Sequence, residues 1–352
     1  MMAEQPLYIG VDLGTNSVKI CIIDKKNKSF RVIEEKSAPH NAWITPKNAN
    51  ESRQDAEKII FTAIHLLKSL QEHIKGQFDQ VNICVTGQMH GIVLWNAESL
   101  VQGKFRCSSL ITWMDSSIPT EFILKLPKWR EGELHQGYGM VTLAWLHKNH
   151  LIDIHWNRCG TIMDMFNCYI TQKDECIMGI QTAFSWGYCD YFGRWTVQDG
   201  IVPMSLLPRI SFRLRRIGVV GLADMGIARK ANVFVSTGDL QCTAAPVHSG
   251  CAGLNLGTSA QLFCRMSYGY RIEKLPSSSL IEIPFFNQQR LLVAASLNGG
   301  NSIELLAKAK PREKPTCSVQ PTFYGERDAN ILAAITNLQP KTSISDVNTL
   351  EA

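Results

Sequence analysis

The first stretch of the chain alternates apolar and polar positions in a way that predicts a β-hairpin. From Tyr8 to Asp24, two apolar runs are separated by the polar sequence Gly-Thr-Asn-Ser. Such alternation around a glycine-containing break is typical of two antiparallel strands joined by a tight turn. A third extended run follows at Phe30–Glu35.

Beyond this point the spacing of apolar residues changes to that of a helix. Between Gln54 and Ile74 apolar side chains recur every three to four positions, and Asn50, Glu51 and Ser52 supply capping residue types just before them. The apolar stripe consists of Ile59, Ile60, Ala63, Ile64, Leu66, Leu67 and Leu70. A sheet followed by a helix predicts an α/β fold.

Further strands are predicted at Val81–Thr86 and Ile92–Trp95, on either side of the polar turn Gly87–Gly91. The region 105–230 is rich in aromatic residues and methionine, and its periodicity supports only one helix, at Val141–Lys148. The basic run Arg209–Arg216 fits a solvated loop or edge strand better than an anion site. Ala231–Thr237 is a short strand candidate.

A sequence near the first turn is repeated late in the chain. Asp12-Leu13-Gly14-Thr15 is matched by Asn255-Leu256-Gly257-Thr258. The second copy belongs to the segment Gly253–Phe263, in which a Gly-Thr-Ser turn again separates two apolar runs. A duplicated half is the economical interpretation, and 352 residues suffice for two domains. The predicted domains are 1–248 and 249–352.

Composition and charge narrow the function classes. Lys and Arg exceed Asp and Glu by 36 − 31 = 5, and this excess is spread along the chain, so no nucleic-acid partner is expected. No apolar stretch is long enough for a membrane span. The 11 cysteines are scattered and the N-terminus lacks a signal region, which favours free thiols in the cytoplasm. The sequence does not define an oligomeric state.

The two Gly-Thr turns are suited to phosphate. Glycine lets the backbone approach a ligand closely, and consecutive N–H groups and small hydroxyl side chains bind phosphate oxygens. The chain has neither a Walker-type loop nor a dinucleotide-binding motif at the start of a helix. What remains is a phosphate site built from two β-hairpins that face each other across a cleft.

Several polar residues near these turns each allow two interpretations. Asp12 fits a Mg²⁺ ligand or an Asx-turn residue, and Asp239 fits a general base or a helix N-cap. His90 fits a sugar contact or a hydrogen-bonded loop histidine. Trp113 and Asp115 fit the C–H face and hydroxyls of a sugar, or a core tryptophan near a cap.

Taken together and in order, eight motifs resemble the FGGY carbohydrate kinases. They are DLGTNSVK, TGQMHG, TWMDSS, TAFSWGY, TGDLQ, NLGTSAQL, ASLNGGN and PTFYGER, and the resemblance extends from about Leu7 to about Glu326. It implies two ribonuclease H-like domains of the actin type with the active site in the cleft between them. Only 352 − 327 = 25 residues follow Arg327, and the family's adenine-binding end is missing, so an incomplete second domain is expected, with apolar sheet surface left bare.

The resemblance also implies the roles of individual residues. Asp239 is the catalytic base, and Asp12 and Asp239 are the carboxylates at Mg²⁺. The first phosphate loop of the ATP site consists of Gly14, Thr15 and Asn16, and the second of Gly257, Thr258 and Ser259. The sugar pocket consists of Gln88, Met89, His90, Trp113, Asp115 and Gln241.

The implied reaction is the transfer of phosphoryl from MgATP to a ketose. Within the family the motifs are most similar to the members that convert sedoheptulose to sedoheptulose 7-phosphate. Members that act on xylulose also have a Gln-Met-His turn, so xylulose is the alternative substrate. A form that binds sugar but is catalytically impaired is a third possibility.

Overall fold

The computed structural model describes residues 6–26, 29–70, 80–223, 225–257, 259–270, 272, 280–296, 299–300, 318–319 and 335–336. The chain divides into two units, residues 1–242 and 243–352. Within the described ranges, no helix has the length and apolar character needed to cross a membrane. The motif at 321–327 and the tail from Lys341 lie outside the described residues.

The first unit is organised around a mixed sheet whose strand order is β11-β12-β5-β1-β2-β3, with β13 also paired to β5. β1 and β2 form the predicted antiparallel hairpin, and β5 runs parallel to β1 on its other side. The strands are β1 (Pro6–Leu13), β2 (Ser17–Lys26), β3 (Ser29–Pro39), β5 (Gln80–Gly87), β11 (Arg216–Val219), β12 (Asn232–Phe234) and β13 (Thr237–Gly238). The strands predicted in these regions are confirmed, except that the single strand expected at Ala231–Thr237 is divided into β12 and β13.

Alternation along β1 and β2 places one face of the sheet in the core. The buried side chains of β1 are Leu7, Ile9, Val11 and Leu13. α1 (Ala56–Ser69) covers β1, β2 and β3 on this face, and α5 (Ile162–Thr171) lies against β5. Each fully buried aliphatic side chain stabilises the fold by about 1.5–3 kcal/mol, so the stripe of α1 holds helix and sheet together.

Helix α1 is confirmed, but the predicted cap at Asn50–Ser52 is wrong. Its N-cap is Asp55, whose Oδ1 accepts a hydrogen bond from the backbone N–H of Lys58 at 3.2 Å. The two residues before it form the short strand β4 (Arg53–Gln54), which pairs with β7 (Leu110–Ile111). Because Arg53 and Gln54 belong to this strand, the helix begins only at Ala56.

The region of weak periodicity contains short, mostly buried elements. α4 (Gly139–Lys148) confirms the helix predicted there. The other elements are β6 (Val93–Trp95), α2 (Ala97–Val101), α3 (Thr120–Ile123), β8 (Arg158–Gly160), β9 (Ile177–Gly179), α6 (Ile180–Ser185) and β10 (Arg209–Ser211). β6 pairs with β8, and β9 pairs with β10.

A buried carboxyl group connects α5 to the sheet. Asp164 Oδ2 accepts hydrogen bonds from the backbone N–H of Thr161 at 3.0 Å and from its hydroxyl at 2.6 Å, and Oδ1 accepts from Ser236 Oγ at 2.6 Å. These contacts form the capping box of α5 and hold the segment between β12 and β13. Burial raises the pKa of Asp164 to about 6, although the three hydrogen bonds oppose this shift.

In the second unit, four strands form an antiparallel sheet with the order β14-β15-β17-β16. They are β14 (Ala252–Leu256), β15 (Ala260–Arg265), β16 (Leu280–Pro284) and β17 (Arg290–Ser296); β18 (Ser318–Val319) and β19 (Ile335–Thr336) pair separately. Leu254, Leu256 and Leu262 are each more than half exposed. The second predicted hairpin is confirmed, and apolar side chains of its sheet are exposed to solvent.

The raised pKa of Asp164 predicts a pH-dependent stability difference for Asp164→Asn. The protonated form is favoured in the folded state, so this group's contribution to stability is largest near pH 4 and decreases as the pH rises to about 6. Asparagine carries no charge at either pH. On going from about pH 4 to about pH 7, the stability of the variant relative to wild type should rise by up to about 3 kcal/mol, measured by urea unfolding.

Thr171→Val is the matched control, because Thr171 lies in the same helix and donates to the carbonyl of Asn167 at 2.6 Å without carrying an ionisable group. Its stability relative to wild type should not vary with pH. A constant difference between Asp164→Asn and wild type at both pH values would contradict the raised pKa.

Candidate functional site

Three parallel strand ends lie side by side in the first unit. Leu13 of β1 is opposite Gly87 of β5, and Gly87 is opposite Gly238 of β13. The first phosphate loop, the turn Gly87–Gly91 and Asp239 therefore leave the sheet at the same edge. The sequence placed these segments at strand ends, and the register brings them together.

Two glycines allow this close approach. Gly87 has a positive φ of 158°, and a Cβ added there would collide with the backbone carbonyl of Leu13. A Cβ on Gly238 would collide with Gln241 and with Met89, whose sulfur would lie at 2.6 Å. Any larger residue at these positions would separate the loops.

Asp239 is the first residue of α7 (Asp239–Ala244), and its Oδ1 accepts a hydrogen bond from the N–H of Leu240 at 2.7 Å. Desolvation by the surrounding protein raises the pKa of Asp239 to about 6, and the nearby Asp12 carboxylate adds to this, while Lys19 opposes it. The side chain is nevertheless exposed at its surface. A substrate can therefore reach the carboxylate.

Asp12 and Lys19 are direct cross-strand partners in the β1–β2 hairpin. The Lys19 ammonium lies 3.3 Å from Asp12 Oδ2. This cation stands beside the two carboxylates and was missed in the sequence analysis, although its position opposite Asp12 follows from the predicted hairpin.

The two carboxylates fit a magnesium ion. Both provide the hard oxygen ligands that Mg²⁺ prefers, and a bound cation would offset the Asp12 charge, which adds to the effect of burial in raising the pKa of Asp239. Among the described residues there is no cluster of three or more His, Cys, Asp or Glu side chains able to hold a metal. A pair of carboxylates leaves coordination positions for water and phosphate, as is usual for Mg²⁺.

The backbone of the first phosphate loop has a fixed orientation. The carbonyl of Gly14 lies 3.4 Å from Gln88 Nε2, and that of Thr15 accepts from His40 Nε2 at 3.0 Å and from Gln54 Nε2 at 2.7 Å. The carbonyl of Asn16 accepts from the N–H of His40 at 3.4 Å. All three carbonyls are therefore occupied by the protein.

The N–H groups of Thr15 and Asn16 make no hydrogen bond to any described residue. With the carbonyls held on the protein side, these two donors remain for an anion. The arrangement fits the predicted phosphate-binding role of Gly14, Thr15 and Asn16.

His40 contributes as a neutral donor. Its Nδ1 accepts a hydrogen bond from the N–H of Ala42 at 3.1 Å, so the proton resides on Nε2, which faces the Thr15 carbonyl. Burial lowers the pKa of His40, which favours this neutral form. No sequence pattern indicated this residue.

Two residues predicted for the sugar pocket, Trp113 and His90, are held by tertiary contacts. The indole N–H of Trp113 donates to Thr15 Oγ1 at 3.2 Å. His90 has a positive φ of 67°, stacks on Tyr138 with ring centroids 4.7 Å apart, and its Nδ1 lies 2.6 Å from the carbonyl of Ser185. This strained backbone is held by tertiary contacts, as is common at functional sites.

Gln88, Met89 and Gln241 are buried beside the same strand ends. Asp115 is also buried, but its carboxylate is engaged in local structure. Its Oδ2 accepts from the N–H of Ser52 at 2.9 Å, and its Oδ1 accepts from the N–H and hydroxyl of Ser117 at 3.1 and 2.5 Å. These contacts give Asp115 a role in holding the loop, and its contact with a sugar stays a prediction.

Gln181 holds the turn that precedes Asp239. Its Oε1 accepts a hydrogen bond from the N–H of Gly238 at 3.2 Å, and the side chain is buried. No sequence pattern around Gln181 indicated this contact.

The second phosphate loop lies in the second unit, between β14 and β15. The N–H of Gly257 donates to the Ser259 carbonyl at 3.0 Å, as the N–H of Gly14 donates to the Ser17 carbonyl at 3.1 Å in the first loop. Gln261 bridges Asn255 and Ser259 through its side-chain amide, with both distances 2.6 Å. Thr258 lies outside the described residues.

Comparison with known proteins agrees with this arrangement. Residues 7–177 match the N-terminal domain of the FGGY family of carbohydrate kinases. The chain is 31% identical to sedoheptulokinase from Mus musculus over 330 residues, which is 85% of this chain and 68% of the relative.

Solved structures show the same fold at lower identity. Gluconate kinase from Lactobacillus acidophilus superimposes with a TM-score of 0.73 at 17% identity, covering 99% of this chain and 75% of that one. A ligand-bound xylulose kinase from the same organism superimposes with a TM-score of 0.73 at 17% identity, covering 98% of this chain and 75% of that one. The fold is thus the α/β fold of these kinases, with ribonuclease H-like domains of the actin type. The chain belongs to the FGGY family of carbohydrate kinases, enzymes that transfer phosphoryl from ATP to a sugar hydroxyl.

Proposed function

We propose that the protein phosphorylates the ketose sedoheptulose to sedoheptulose 7-phosphate, with Asp239 as the general base. The observation that carries this proposal is the shared strand edge, which sets Asp239 beside the first phosphate loop and the turn Gly87–Gly91. The 31% identity to a sedoheptulokinase supports the choice of sugar.

In the proposed reaction, Asp239 accepts the proton of the primary hydroxyl of the sugar. The hydroxyl oxygen then bonds to the γ-phosphorus of ATP, and the bond from that phosphorus to the bridging oxygen breaks to release ADP. A carboxylate with a pKa of about 6 is mostly ionised at neutral pH and is a stronger base than an ordinary aspartate. Its exposure permits contact with the substrate.

The remaining charged groups act on the phosphates. Asp12 and Asp239 would hold Mg²⁺, which neutralises charge on the transferring phosphate when it is bound. The N–H groups of Thr15 and Asn16 bind phosphate oxygens, and Lys19, 3.3 Å from Asp12, adds positive charge nearby.

On the sugar side, Met89 packs against the turn that carries the base, and Trp113 is tied to Thr15 of the phosphate loop. Gln88, His90, Asp115 and Gln241 complete the proposed pocket. Thr258 and its neighbours Gly257 and Ser259 would contact ATP from the second loop.

Replacement of the base tests the mechanism directly. Asp239→Asn keeps the size of the side chain but removes its ability to accept a proton, so sugar-dependent ADP release should fall by about 10²- to 10⁴-fold. The exposed Asp199 offers a control, since Asp199→Asn should retain wild-type activity. Turnover near the wild-type rate in Asp239→Asn would remove the assigned base.

The metal assignment is tested by Asp12→Asn in a Mg²⁺ titration of ADP release. Loss of one of two carboxylates weakens the site, and we expect the half-saturating Mg²⁺ concentration to increase at least about tenfold. An unchanged Mg²⁺ requirement would argue that Asp12 does not hold the ion.

The identity of the sugar is tested by comparing sedoheptulose and xylulose at equal concentrations. We expect kcat/KM to be higher for sedoheptulose, and the reverse order would favour the xylulose alternative. If calorimetry detects sugar binding but no MgATP binding and no turnover, the protein is a sugar-binding form without kinase activity.

A further inference from the structure

Two buried side-chain amides connect the first phosphate loop with the turn Gly87–Gly91. Gln54 Nε2 donates to the Thr15 carbonyl at 2.7 Å, and Gln54 Oε1 accepts from Gln88 Nε2 at 2.9 Å. Gln54 is 0% exposed and Gln88 is 3% exposed. Water is therefore not available to replace either contact, and an amide group left unpaired here would be costly.

The orientation of both amides follows from the backbone carbonyl at one end. A carbonyl only accepts, so the NH₂ group of Gln54 must face Thr15 and its oxygen must face Gln88. The NH₂ group of Gln88 must in turn face Gln54. The carbonyl of Gly14, 3.4 Å from Gln88 Nε2, favours the same orientation.

With both amides oriented in this way, Gln88 Oε1 is left without a hydrogen bond from Gln54. That oxygen is buried and has no hydrogen-bond partner among the described residues. Buried acceptors are nearly always paired, so the missing partner points to a donor supplied by a ligand.

The backbone of Gln54 is held firmly in place. It pairs with Leu110 in the contact of β4 with β7, forms a bridge with Trp43, and is followed at once by Asp55, the N-cap of α1. A side chain mounted in this way can transmit the position of one loop to the other.

We propose that Gln54 is a positioning residue that couples the turn Gly87–Gly91 to the first phosphate loop. It also orients the amide of Gln88 so that Oε1 can accept a hydrogen bond from a sugar hydroxyl. The inference rests on the proposed function, because it assumes that the loop binds phosphate and the turn binds sugar. Gln54 itself touches neither substrate; it acts through Thr15 and Gln88.

Hydrogen exchange of the substrate-free protein tests the coupling without any turnover. Gln54→Met preserves the approximate shape of the side chain and removes both hydrogen bonds. Amide exchange should accelerate about tenfold in residues 13–18 and 87–91 together. Thr171→Val, which loses one buried hydrogen bond in α5, is the control and should alter neither segment. Acceleration in only one segment, or in neither, would overturn the coupling.

Steady-state kinetics test whether the coupling through Gln54 affects the binding of both substrates. For Gln54→Met, the KM values for sugar and for MgATP should both rise about tenfold, with a smaller change in kcat. Gln54→Glu keeps the acceptor for Gln88 but places a carboxylate oxygen against the Thr15 carbonyl. Its KM for MgATP should therefore rise more than its KM for sugar.

A double variant completes the test. Gln54→Met combined with Gln88→Met should lose less than the sum of the two single variants, because both substitutions break the hydrogen bond between the two amides. Unchanged KM values in a folded Gln54→Met protein, or fully additive losses in the double variant, would refute the proposal. If the wild type phosphorylates no ketose while the exchange result holds, the proposed function fails and the linkage between the two segments stands.

Discussion

The site depends on the register in which three parallel strands end together. Because β5 is hydrogen-bonded to β1 on one side and to β13 on the other, Leu13, Gly87 and Gly238 lie level with one another. Each strand then leads to a different chemical group at one edge of the sheet: the backbone donors of Thr15 and Asn16, the turn Gly87–Gly91 and the carboxylate of Asp239. A shift of one residue in any of these pairings would turn Asp12 or Thr86 to the opposite face.

Much of this frame could be predicted from the sequence because its signals are local. The hairpins around Gly14 and Gly257 have alternating apolar residues on both sides of a polar turn, and α1 has a regular apolar stripe. In contrast, α5 was not predicted, although its polar residues Asp164, Asn167 and Thr171 recur at helical spacing; all ten residues of this helix are buried, so its polar stripe faces protein groups and not solvent. The start of α1 was misplaced for a different reason, since the pairing of Arg53 and Gln54 with β7 is a long-range contact.

The candidate site divides in the same way. Glycine turns and acidic residues at strand ends are visible in the sequence, and Gly14 and Asp239 were predicted from them. The residues that hold these groups were not found: Gln54 and His40 reach Thr15 from 39 and 25 positions away. Their importance arises only when folding brings them to one carbonyl. Asp115 illustrates the converse, since an acidic residue in a suggestive motif has its oxygens engaged by Ser52 and Ser117.

The occupied carbonyls of the first phosphate loop determine which ions the loop can accept. Both lone pairs of the Thr15 oxygen are used by His40 and Gln54, and the neighbouring carbonyls of Gly14 and Asn16 are engaged as well. The Thr15 carbonyl is therefore not available to a potassium or sodium ion, which needs several carbonyl ligands. Because no described residue uses the N–H groups of Thr15 and Asn16, the backbone of this loop favours an anion, and under the proposed function a cation that accompanies the nucleotide would take its protein ligands from side chains.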